Sequence, residues 1–123
     1  MAPCANEILT PSVSFTHWGD TSGQGNDTTP SCSSSSSAGD WAMAFVAPED
    51  GRYSFDTDGS DYDTVLYMLD ECGGQELLCN DDFSAFGTRS SISGRLTAGQ
   101  RVIVIVDGWL TYAGPFRLNV ERL

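Results

Sequence analysis

The residues best placed for chemistry are oxygen-bearing and acidic. Asp56-Thr57-Asp58-Gly59-Ser60-Asp61-Tyr62-Asp63 sets carboxylates two residues apart on either side of a glycine turn, and Asn80-Asp81-Asp82 offers more oxygens from a second loop. Asp107, after a later apolar run, completes a candidate metal set of Asp56, Asp58, Asp61, Asp63, Asn80, Asp81, Asp82 and Asp107. Ca²⁺ takes about six to eight oxygens from carboxylates, amides and carbonyls, and loops gathered at one end of a sandwich can converge to supply them. Ca²⁺ is therefore the expected cofactor. The spacing is not that of an EF-hand, which requires a bidentate Glu at the twelfth loop position. The competing reading is a solvated acidic face whose aspartates serve turns and Asx caps.

Aromatic residues make a second candidate set. Trp109 and Tyr112 lie in Asp107-Gly108-Trp109-Leu110-Thr111-Tyr112-Ala113-Gly114-Pro115, which reads as a loop, and Trp18, Tyr62, Phe83 and Phe86 also fall outside the expected core. Exposed rings of this kind can stack on sugars or pack against an extended peptide, so Trp109, Tyr112 and Trp18 are the expected ligand contacts of a carbohydrate- or matrix-binding module. Alternatively, they cap the ends of the core.

Catalytic chemistry is poorly represented. His17 is the lone imidazole; there is no Gly-x-Ser-x-Gly elbow and no His-Glu-x-x-His, and the serines cluster in a polar stretch away from any base. A glycosidase built on a carboxylate pair stays formally open, because the separation that defines it is not readable from sequence. The expectation is a protein that is not an enzyme.

Composition narrows the partners. The 123 residues carry a net charge of -11, with seventeen acids against six bases, and every base is arginine. Residues 49–82 hold eleven of the acids and only Arg52, so the rest of the chain is nearly neutral. Without a basic stripe, neither nucleic acid nor an anionic membrane is an expected partner. No run approaches the roughly 18 apolar residues that span a bilayer. Met1-Ala2-Pro3-Cys4 lacks a basic and apolar leader, which suggests a mature or excised segment with an added Met1. Cys4, Cys32, Cys72 and Cys79 are even in number and lack a C-x-x-C pair, which favours two disulfides and a secreted, oxidising location over zinc. Cys72 and Cys79 flank a hairpin-length loop, leaving Cys4 to pair with Cys32; two other connectivities remain open.

The elements that must position these residues are strands. From about residue 40, short apolar runs alternate with Gly, Pro and Asp turns and never sustain helical spacing. Strands are predicted at Trp41–Ala47, Gly51–Thr57, Thr64–Leu69, Leu77–Asn80, Ser91–Leu96, Arg101–Val106 and Phe116–Glu121, with another near Ser12–Phe15. Both parities of 101–106 are apolar, as in a central strand covered on both faces. The predicted core is Tyr53, Phe55, Val65, Tyr67, Leu69, Leu96, Val102, Val104, Val106, Phe116, Leu118 and Val120. The expected fold is all-β, a jelly-roll-like β-sandwich of about seven or eight antiparallel strands with two disulfides. One domain is expected over residues 1–123, its first forty residues being a loop-rich segment pinned by disulfides.

The stretch from Ala47 to Gly108 also resembles a known family. Ala-Pro-Glu-Asp-Gly-Arg-Tyr-Ser-Phe-Asp-Thr, Gly-Ser-Asp-Tyr-Asp-Thr-Val-Leu-Tyr, Cys-Gly-Gly-Gln-Glu-Leu-Leu-Cys-Asn-Asp-Asp, Leu-Thr-Ala-Gly-Gln and Val-Ile-Val-Asp-Gly are similar to motifs of bacterial pre-peptidase C-terminal domains, in their myxobacterial form. The resemblance covers about residues 40–121. It implies a non-catalytic β-sandwich accessory domain appended to a larger exported protein; together with the acidic set and the aromatics, the expectation is a calcium-stabilised module, monomeric within that protein, that binds or targets an extracellular polysaccharide or matrix protein. A module that only assists structure or secretion, with no ligand, is the remaining alternative.

Overall fold

The computed structural model describes residues 5, 7–9, 12–23, 39–58, 60, 63–71, 74–80, 90–108 and 112–123. They form nine strands: β1 (Glu7–Ile8), β2 (Ser14–Asp20), β3 (Trp41–Val46), β4 (Gly51–Asp56), β5 (Thr64–Leu69), β6 (Glu76–Asn80), β7 (Ser91–Leu96), β8 (Arg101–Gly108) and β9 (Pro115–Arg122). A five-stranded sheet runs β1-β3-β8-β5-β6 and a four-stranded sheet runs β2-β9-β4-β7. Apart from the β5–β6 hairpin, each strand from β2 onward is followed by one in the opposite sheet, and the resulting orders are those of a jelly roll. β1 is an addition to that plan. It pairs in parallel with β3, the one parallel pair among the described strands, so the expected seven or eight antiparallel strands are corrected to nine of mixed sense.

Alternation explains which side chains meet between the sheets. Tyr53 and Phe55 of β4, Phe116, Leu118 and Val120 of β9, and Val102, Val104 and Val106 of β8 all turn inward and are buried, together with Met43, Phe45, Leu66 and Met68. Phe45 sits at the centre, its ring 5.6 Å from Tyr53 and 5.5 Å from Phe55 in edge-on contacts and 6.1 Å from Phe15. Burying each such side chain contributes about 1.5–3 kcal/mol, and edge-on aromatic pairs add to that.

β8 is buried on both faces, as the double apolar parity of 101–106 predicts, and its neighbour β5 is as well. Their second face is a separate apolar layer of Ala42, Ala44, Val65, Tyr67, Leu69, Ile103 and Ile105.

Turns lace the two ends. Ala47 N donates to Gln100 O and Gly99 N to Ala47 O, while Asp50 Oδ1 accepts from Ala98 N at 2.7 Å, so the 47–51 and 97–100 turns are bonded together. Gly99 has φ of 83°, a left-handed value that favours glycine. At the other end Thr57, Thr64 and Ser90 are buried and share hydroxyls: Thr57 Oγ1 lies 2.5 Å from Thr64 Oγ1 and accepts Ser90 N, and Ser90 Oγ donates to Thr64 O. This network ties the starts of β5 and β7 to the end of β4.

The expectation of two disulfides is corrected. No disulfide joins two of the described residues, so a pair of bridges is not part of the described fold. Cys79 is bonded as a half-cystine in β6, and Cys4, Cys32 and Cys72 lie outside the described residues.

Candidate binding face

The outward side chains of the four-stranded sheet form a polar face read in rows by strand register. Trp18 opposes Arg117. In the next row Thr16, Asn119, Asp56 and Ser91 lie side by side, followed by Ser14, Glu121, Ser54 and Ser93, and then by Arg52 opposite Arg95. The register follows from the core: a one-residue slip would turn Phe55 and Val120 to solvent.

Asn119 organises this face. Its Oδ1 accepts from Thr16 Oγ1 and from Arg117 Nε, both at 3.1 Å. Its Nδ2 donates to Asp56 Oδ1 at 2.7 Å and to Asp58 O at 3.1 Å. Asp56 Oδ1 also accepts Asp58 N in an Asx turn. With Nε held in this way, the Arg117 guanidinium lies over Trp18, 5.1 Å from the ring centroid. A cation over an indole face is favourable by roughly 0.5–1 kcal/mol at an exposed site and fixes the ring's orientation. Trp18 nonetheless leaves 65% of its surface exposed. At the strand end, Ser22 holds the Asp20 carboxyl below the usual carboxylate range, first through its backbone N–H and then through its side chain.

The predicted metal set is not brought together. Asp56 lies on the outer face of the four-stranded sheet. Asp107 lies on the far side of the five-stranded sheet, buried, where Tyr67 Oη and Gly108 N donate to it. Both sheets and the core separate the two, and packed sheets are about 10 Å apart. Asn80 Oδ1 accepts Ser91 N, so it is already a structural bond. Among the described residues no group of three or more His, Cys, Asp or Glu could hold a metal ion, so the expected calcium site finds no support among them. Asp61, Asp81 and Asp82 lie outside the described residues.

Of the predicted aromatic contacts, Trp109 lies outside the described residues, and Tyr112 is 51% exposed just before β9. Trp18 is in β2. The sequence reading missed Arg117, Asn119 and Thr16 around it, because residues 16, 18, 56, 117 and 119 become neighbours only through strand pairing.

A second cluster bridges the sheets at their edges. Glu7 Oε1 in β1 lies 2.6 Å from His17 Nε2 of β2 and accepts Trp41 Nε1 of β3 at 2.7 Å. The one histidine is thereby a fastening between strands.

No family model matches this chain, and no curated protein matches it. Solved structures do. The pre-peptidase C-terminal domain of a collagenase from Bacillus anthracis aligns at TM-score 0.61 and 13% identity, over 98% of each chain. A periplasmic inhibitor of g-type lysozyme, PliG from Aeromonas hydrophila, aligns at TM-score 0.60 and 13% identity, over 99% of this chain and 100% of that one. At these identities the likeness is one of fold, and the fold is the one the family resemblance implies.

Proposed function

We propose that the chain is a non-catalytic binding module, of the pre-peptidase C-terminal type, that holds an extracellular polysaccharide on the outer face of its four-stranded sheet. The observation that carries this reading is Trp18, 65% exposed on a strand and braced by Arg117. An indole left in water on a flat polar face offers a stacking surface, and the hydroxyl, amide and carboxylate groups beside it can take up sugar hydroxyls. The expectation that the protein is not an enzyme agrees with both solved neighbours, one a C-terminal domain and the other an inhibitor. The periplasmic location of the lysozyme inhibitor supports an extracytoplasmic one here; no helix among the described residues is long and apolar enough to cross a membrane. Calcium is left out of the proposal because no group of three or more metal-ligating side chains gathers among the described residues.

Retention on insoluble polysaccharides tests the reading. The parent is expected to be retained on at least one of a panel, and Trp18→Ala to lose that retention while staying folded, with a melting temperature lower by no more than about 5 °C. Retention on collagen alone, unchanged in Trp18→Ala, contradicts it.

A further inference from the structure

The opposite end of the same face carries an unusual pairing. Arg52 and Arg95 stand directly opposite each other on β4 and β7, both exposed. Like charges in this relation destabilise a sheet. In a chain with seventeen acids and six bases, arginines have abundant potential partners, yet among the described residues the ion pairs are His17 with Glu7 and Arg122 with Glu49. Arg52 Nη2 donates only to the neutral Ser93 hydroxyl, at 3.1 Å. Arg117, on the same face, also has an amide oxygen and an indole for neighbours, not a carboxylate. Three arginines thus share one face without a salt bridge.

We infer that this face is specific for an acidic polysaccharide, with the Arg52–Arg95 pair as the subsite for its carboxylate or sulfate groups. The inference rests on the proposed sugar-binding face and adds its charge. Guanidinium forks match both anions and form charge-assisted hydrogen bonds, and an anion set between two guanidinia removes their mutual repulsion. The ligand must be a polymer because the two contact points are far apart. At about 4.8 Å between strands and about 6.8 Å for each two-residue step, Trp18 and Arg95 are about 25 Å apart, a span that needs several sugar units. Acids do lie close by, but they are engaged: Asp56 is held by Asn119, Asp50 Oδ1 by Ala98 N and Glu49 by Arg122, and Glu121, one row from Arg52, makes no ion pair with it among the described residues. Acids beyond a Debye length of about 8 Å are largely screened at physiological ionic strength.

The test is affinity electrophoresis in gels containing alginate or heparin, against neutral xylan and amylose, at 0.15 and 0.5 M NaCl, ionic strengths chosen to bracket strong screening. The proteins compared are the parent, Trp18→Ala, Arg52→Ala/Arg95→Ala and Arg52→Lys/Arg95→Lys. The parent is expected to be retarded by an acidic polymer, less so in high salt, with the double alanine variant at least about tenfold weaker and the double lysine variant between them. That variant is expected to melt no lower than the parent, which excludes misfolding as the cause. Retardation by neutral polymers that Trp18→Ala abolishes and the double alanine variant keeps would overturn the acidic specificity and leave the proposed face standing. No retardation by any polymer would overturn both. Alginate binding assigns the subsite to carboxylates, which heparin also carries, heparin binding without alginate binding assigns it to sulfates, and either supports the inference.

Discussion

Two residues show how differently single side chains enter this structure. Trp18 is held in place by Arg117 and exposed to solvent, whereas Glu7 is used up: one carboxylate oxygen serves both His17 and Trp41. Removing that oxygen strands two partly buried donors, so Glu7→Ala is expected to cost about 1–3 kcal/mol in urea unfolding. Glu7→Gln, which keeps an acceptor oxygen, should cost less. Equal losses in the two variants would show that packing, not hydrogen bonding, is what Glu7 supplies. Neither role was readable from residue types alone. His17 was noticed only as a lone imidazole, and Glu7 was one acid among seventeen.

At the scale of elements, the strands with strong apolar alternation were legible and the others were not. Thr64–Leu69 and Ser91–Leu96 occur with the predicted bounds, and the twelve predicted core residues are all buried. β2 was seen only at its start because its inward positions after Phe15 are His17 and Gly19, neither of which signals a core face, although its burial alternates from end to end. Gly19 is inward for a reason: a Cβ there would press into the buried Phe116 ring. Gly19→Ala is expected to lower stability by about 1–3 kcal/mol through overpacking, as measured by thermal or urea melting. A neutral result would mean that β2 can move outward freely, and with it Trp18. β1 was not predicted because two residues in parallel pairing carry no local pattern.

For the whole molecule the charge of -11 acquires a geography. The sequence placed the acidity in residues 49–82 and read it as a metal site or a solvated face. In the structure Asp56, Asn80 and Asp107 are hydrogen-bonded parts of three different surroundings. Arginine is distributed the other way, with Arg52, Arg95 and Arg117 on one sheet face. No local run of sequence contains that face. It exists because the jelly roll interleaves strands distant in sequence, so a residue near the N-terminus, Trp18, comes to share a surface with Arg117 and, across two further strands, with Arg95.

The most direct measurement is a side-by-side retention assay of the parent and Trp18→Ala on insoluble polysaccharides, with melting curves recorded for both. A binding face centred on Trp18 predicts retention of the parent, loss of most of it in the variant and a melting temperature lower by no more than about 5 °C, reflecting the loss of the Arg117 contact. Equal retention of the two proteins, or none for the parent on any polysaccharide tested, would contradict it.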